Sequence, residues 1–153
     1  MTAQSREILE IVDGVKARLE NYVEADWMRR AAPGKWCRKE ILGHLIDSAS
    51  NNHQRIVRAV IDGKVELPPY AQVEWVRAQG YEAEDGRAVL DFWTAYNRHL
   101  AHLIARIPAD RLSAQWLAAG KPPMPLEALV VDYIRHMRHH LAQIDPELAS
   151  GRP

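Results

Sequence analysis

Disulfides, excess charge and long apolar runs are all missing from this chain of 153 residues. Cys37 is its only cysteine, so no internal disulfide can form and the core must hold the fold. Basic and acidic residues each number 20, so no positive excess points to nucleic acid or to an anionic membrane surface. No apolar stretch approaches the ~20 residues needed to cross a bilayer. Met1-Thr2-Ala3-Gln4-Ser5-Arg6-Glu7 lacks the apolar core of a secretory signal. The expectation is a cytoplasmic protein with no nucleic-acid and no membrane partner. Period-2 alternation never persists beyond a few residues, which argues against a sheet.

Helical periodicity is what the chain does have. Ile8, Ile11, Val12, Val15 and Leu19 predict a first helix from Ser5 to about Ala25, with Ser5 as its cap and Glu7 in its first turn. A second runs from about Arg38 to Asp62, closed by Gly63. Pro68 and Pro69 make the following segment a loop. A short helix over 71–79 carries Trp75. A third long helix spans about Asp85–Arg106 and ends before Pro108, and a fourth spans Leu126–Ile144. Four long amphipathic helices predict an all-α four-helix bundle, one domain over 1–153 with a frayed tail at 147–153. The connections after the second and third long helices are long, and long loops in compact domains often carry function. Five tryptophans against one phenylalanine is a skewed aromatic set. We read most of them as structural, lining a half-polar cavity, and Cys37 as a buried structural thiol.

Chemistry concentrates in the last helix. His136 and His140 stand at i and i+4, so both imidazoles can reach one point in space. Two neutral imidazoles at that spacing suit a divalent ion of the zinc, nickel or iron type, and a third ligand would leave open positions. His139 points about 60° away from His136 and is read as outlying or exposed. His44 lies at the margin of the second helix's apolar stripe, near Asp47, Ser48, Asn51 and Arg55. His53 is about 180° from it and is expected to face solvent. His99 and His102 flank the apolar face of the third long helix. His44 is therefore favoured as the third ligand, with His99 or His102 as the alternatives.

Three segments carry a family resemblance. They are Trp36-Cys37-Arg38-Lys39-Glu40-Ile41-Leu42-Gly43-His44-Leu45-Ile46-Asp47-Ser48, with Asn51-Asn52-His53-Gln54-Arg55 after it; Tyr70-Ala71-Gln72-Val73-Glu74-Trp75-Val76; and Asp132-Tyr133-Ile134-Arg135-His136-Met137-Arg138-His139-His140-Leu141-Ala142-Gln143-Ile144. Together and in this order they resemble the DinB/YfiT-like metalloenzyme superfamily. The resemblance implies a four-helix bundle holding one divalent ion on His44, His136 and His140, often as a homodimer. It implies for some relatives transfer of a low-molecular-weight thiol. The middle motif departs from the pattern: Val73 stands where an acidic residue is common, and Ala71 follows Tyr70.

Three histidines leave the ion its full charge, which would generate a bound hydroxide or thiolate near neutral pH. The ion would be zinc or nickel, with iron or manganese as alternatives. Met137 after His136 excludes the His-Glu-x-x-His arrangement of the zincins. Asp47 and Glu74 are the candidate catalytic carboxylates. Asp47 could instead orient a ligand imidazole or serve as an ordinary capping group. Asp132, one turn before His136, is a third carboxylate and is expected to pair with Arg135. Asn51, Arg55, Tyr133 and Gln143 are candidates for binding a small, polar or anionic substrate. The leading expectation is a metal-dependent thiol transferase or hydrolase. The alternatives are a stress-response or binding module with structural or vestigial metal, and a dimeric scaffold with unused histidines.

Overall fold

The computed structural model describes residues 1–149. In chain order its helices are α1 (Thr2–Leu19), α2 (Glu24–Trp27), α3 (Arg38–Asp62), α4 (Gln72–Gln79), α5 (Gly86–Ala105) and α6 (Leu126–Ile144). The four long ones form the expected bundle. α1 packs on α5 and α6, and α3 packs on the same two helices, so the ring runs α1–α5–α3–α6. The first two long helices therefore occupy opposite corners, and the connections must cross between them. The apolar stripes meet in one core built from Ile8, Val12, Leu42, Leu45, Ile56, Leu90, Trp93, Leu100 and Leu129, all at most 2% exposed. No helix among the described residues is long and apolar enough to cross a membrane.

Local chemistry sets the helix ends, and at the N-terminus it corrects the sequence reading. α1 starts at Thr2, so Ser5 is no cap. Its buried hydroxyl instead donates to the Ala101 carbonyl at 2.7 Å, tying α1 to α5. α1 stops at Leu19 rather than near Ala25 because Val23 turns extended (φ −87°, ψ 167°) and its N–H donates to the Asp26 carboxylate at 3.2 Å. A short polar side chain that captures a backbone donor in this way competes with helix continuation. α3 is bounded as expected. The Glu40 carboxylate accepts from the Cys37 N–H at 2.8 Å at its start, and Gly63 at φ 77° closes it in a conformation that favours glycine. Of the expected frayed tail, 147–149 belong to a 3-10 turn, Pro146–Ala149, and 150–153 lie outside the described residues.

The sheet was not foreseen. β1 (Lys64–Glu66), β2 (Gln115–Leu117) and β3 (Met124–Pro125) pair in the order β1-β2-β3. β1 and β2 run parallel with Val65 opposite Trp116, and β3 is antiparallel with Met124 opposite Trp116. Strands of two and three residues carry no alternation to read. Their effect is to pin the two long connections to each other. The Trp116 indole donates to the Leu67 carbonyl at 3.1 Å, which fixes that ring beside α3.

Gly43 has a steric reason to lack a side chain. A Cβ there would sit 2.2 Å from the Tyr81 ring, which lies across α3 one residue before His44. The 3-10 turn Tyr81–Ala83 is thereby seated against the site.

Candidate metal centre

α3 presents His44 and α6 presents His136 and His140 to one point between the two helices. One ligand atom from each lies within 4.8 Å of the other two. The Nε2 atoms of His44 and His136 are 3.3 Å apart. Two nitrogens bound at 2.0–2.1 Å to one tetrahedral ion would be about 3.3 Å apart. The alternatives His99 and His102 are exposed on α5 and take no part.

Each imidazole is held through its other nitrogen. Nδ1 of His44 faces the Tyr70 hydroxyl at 3.5 Å, Nδ1 of His136 faces Ser48 Oγ at 3.4 Å, and Nδ1 of His140 faces Gln143 Oε1 at 3.2 Å. Gln143 Oε1 can only accept, so His140 carries its proton on Nδ1 and leaves Nε2 free. With the same tautomer, His44 and His136 would turn two Nε2 lone pairs toward each other, an arrangement that a cation between them would relieve. Outer-nitrogen partners of this kind fix ring orientation in metal sites. The rings also pack on one another, with His140 4.6 Å from His44 and 4.5 Å from His136 between centroids.

Electrostatics keep the donors neutral. Burial, then repulsion from His140 and His136, pushes the His44 pKa down to about 3. Burial, then His140, pushes His136 down to about 4. Burial also lowers His140, partly offset by Gln143. Metal ligation requires neutral imidazole, so at neutral pH no proton need leave before an ion binds. Three neutral nitrogens on convergent vectors fit a divalent transition ion.

The other sequence candidates are distributed unevenly. Asp47 is buried, and its Oδ1 accepts from the Tyr81 hydroxyl at 2.8 Å and from Gln79 Nε2 at 3.1 Å. It anchors α4 and the following turn to α3. Its Oδ2 is buried with no hydrogen-bond partner among the described residues, and burial raises its pKa. Glu74 is exposed on α4. The Asn51 amide donates back to the Asp47 carbonyl at 2.9 Å. Tyr133 is turned into the core, where its hydroxyl donates to Asn97. Gln143 is exposed and bridges His140 to His139, whose Nε2 is 3.1 Å from the Gln143 amide. Asp132 pairs with Arg135 at the surface, as expected.

Two rings complete the surroundings. Trp36 lies 5.2 Å from the His44 ring, and Trp75 packs 5.0 Å from Tyr70. Sequence reasoning missed Tyr70 as the partner of His44 and Ser48 as the partner of His136. Ser48, one helical turn after His44, was a visible signal. Tyr70 was visible only as a motif residue.

A family model described as the DinB superfamily matches residues 11–144. The chain belongs to the DinB superfamily. A relative from Halalkalibacterium halodurans is 22% identical over 94% of this chain and 83% of its own length. Another from Geobacillus thermodenitrificans is 24% identical over 90% of this chain and 78% of its own. Both carry the name "putative metal-dependent hydrolase". Among solved structures, YfiT from Bacillus subtilis superposes with a TM-score of 0.84 at 19% identity, over 97% of this chain and 85% of YfiT. That protein is described as "a probable metal-dependent hydrolase with an unusual four-helix bundle topology". The likeness establishes the fold, including the diagonal placement of α1 and α3 in this DinB-superfamily chain.

Proposed function

We propose that this DinB-superfamily protein is a metal-dependent hydrolase whose ion is held by His44, His136 and His140. The observation that carries the reading is the convergence of three neutral imidazoles, each oriented through its outer nitrogen. The names of the two relatives support hydrolysis over the other reactions such a site could host. A divalent ion, zinc or nickel by the donor set, would keep its full charge there and acidify a bound water.

The chain's own residues supply the rest. Ser48, Tyr70 and Gln143 hold the three rings. Trp36 covers one face of His44. Asp47, one turn after His44 on α3, is the candidate proton acceptor, and burial raises its pKa.

The test is turnover of p-nitrophenyl acetate and p-nitrophenyl phosphate by protein reconstituted with zinc or with nickel. The expected result is metal-dependent turnover, lost in His136→Ala. Asp47→Asn should keep the metal but lower kcat about 10²–10⁴-fold. Equal turnover in His136→Ala would sink the proposal. Turnover only on addition of a low-molecular-weight thiol would replace hydrolysis by thiol transfer at the same centre.

A further inference from the structure

Arg55 is a buried cation without an ion-pair partner among the described residues. It lies on α3 eleven residues after His44, about 20° away in helical phase, so it shares the face that carries His44 and Ser48. The residue is only 7% exposed. Among the described residues no carboxylate lies within ion-pair distance of it. Asp132 is near enough to favour its charge but is engaged by Arg135.

What Arg55 does touch leaves most of its donors unused. The guanidinium carbon sits 4.0 Å over the Trp116 ring. Nη1 donates to Asn52 Oδ1 at 3.4 Å, a long bond. The Nε–Nη2 edge makes no hydrogen bond to any described residue. That edge is the fork that grips two oxygens of a carboxylate or phosphate at once. The neighbouring Tyr70 links the two places: its hydroxyl is 3.5 Å from His44 Nδ1, and it feels the positive charge of Arg55.

We propose that the Nε–Nη2 edge of Arg55, backed by Trp116, is the seat for an oxyanion group of the substrate, a carboxylate or phosphate. The substrate is then an anionic compound with its anionic group at Arg55, about 16 Å along the α3 axis from His44, and its reacting bond toward the histidines. The word substrate rests on the hydrolase reading, whereas the seat does not. The competing account makes Arg55 a strut, its charge satisfied by Trp116 and Asn52 while it pins β2 to α3.

The two accounts separate in the metal-free protein. Acetate and inorganic phosphate are titrated in turn at constant ionic strength. The readout is the Arg55 Nε–H resonance, recognised by its ring-current shift from Trp116. A seat gives a saturable shift, and the anion that binds more tightly says whether carboxylate or phosphate is the natural group. Arg55→Lys keeps the charge but loses the fork and should weaken binding about tenfold or more. His136→Ala should lose the metal yet retain the anion, so the two readings fail separately. No saturable shift with either anion, or undiminished binding in a folded Arg55→Lys protein, overturns the seat. If Arg55→Lys does not fold, the wild-type titration alone decides.

Discussion

Two groups of histidines sit in this bundle, and only one of them gathers three donors. Between α3 and α6, His44, His136 and His140 converge within 4.8 Å, and each outer nitrogen faces an oxygen. Between α3 and α5, His53 and His99 also pack, with ring centroids 5.3 Å apart. His53 is half-buried there rather than free in solvent, and its Nδ1 faces the Tyr96 hydroxyl at 3.1 Å. That pair has no third ligand among the described residues. Proximity of imidazoles does not make a metal centre. A third donor and the full burial of His44 distinguish the first group; an oriented outer nitrogen, which His53 also has, does not.

The largest expected effect breaks the first group and spares the second. Free metal at a thousand times Kd stabilises by about 4.1 kcal/mol, or about 8–16 °C at roughly 2–4 °C per kcal/mol. Thermal melts with and without metal should show that rise in wild type and in His53→Ala, and none in His44→Ala. A metal-dependent rise retained in His44→Ala would reopen His99 or His102 as ligands.

Next come the groups that only orient. Ser48→Ala should weaken metal affinity about 10–100-fold, measured by competition with a chromophoric chelator. Tyr96→Phe, which makes the equivalent change beside His53, should leave affinity unchanged. Equal effects of the two would mean that the outer contacts do not matter.

Acidification sharpens the contrast in the metal-free protein. An unfolded histidine titrates near 6.5, whereas His44 and His136 are held down to about 3 and about 4. The unfolded chain therefore binds more protons in between. Stability is full above about pH 6.5 and declines as the pH falls toward the folded values, by at most about 1.4 kcal/mol per pH unit for His44. Melting temperatures of the apoprotein should fall between pH 7 and 4.5, and less so in His44→Gln. A flat profile would contradict the burial of neutral imidazoles.

A last contrast tests the frame around the site. Gly43→Ala puts a methyl into the Tyr81 ring and should cost about 1–3 kcal/mol in denaturant melts. Adding Tyr81→Ala should relieve that clash. Additive losses in the double variant would show that the ring can move aside.

The sequence made the bundle readable because its signals are periodic. His136 and His140 follow from i, i+4 spacing, and helical phase separates His44 from His53 before any fold is known. Gly63 marks the end of α3 because its φ of 77° is written in the residue type. What escaped depends on contacts far along the chain. β1 and β2 join residues some 50 positions apart through strands too short to show a pattern. The stop at Leu19 depends on Asp26, seven residues on, capturing the Val23 N–H. Asp47 stood out beside His44, but its partners Tyr81 and Gln79 come from a connection whose path the sequence does not reveal. Tyr133 shares the α6 face of His136 by spacing, yet Asn97 draws its hydroxyl into the core. Arg55 was legible as a charge near His44, and its missing carboxylate was not.

The central claim is that three histidines hold one divalent ion. Elemental analysis of tag-free protein purified without chelators, beside His136→Ala, tests it most directly. The account predicts about one divalent transition ion per chain in wild type and none in the variant. Equal metal in both, or none in wild type even after reconstitution at neutral pH, would contradict it.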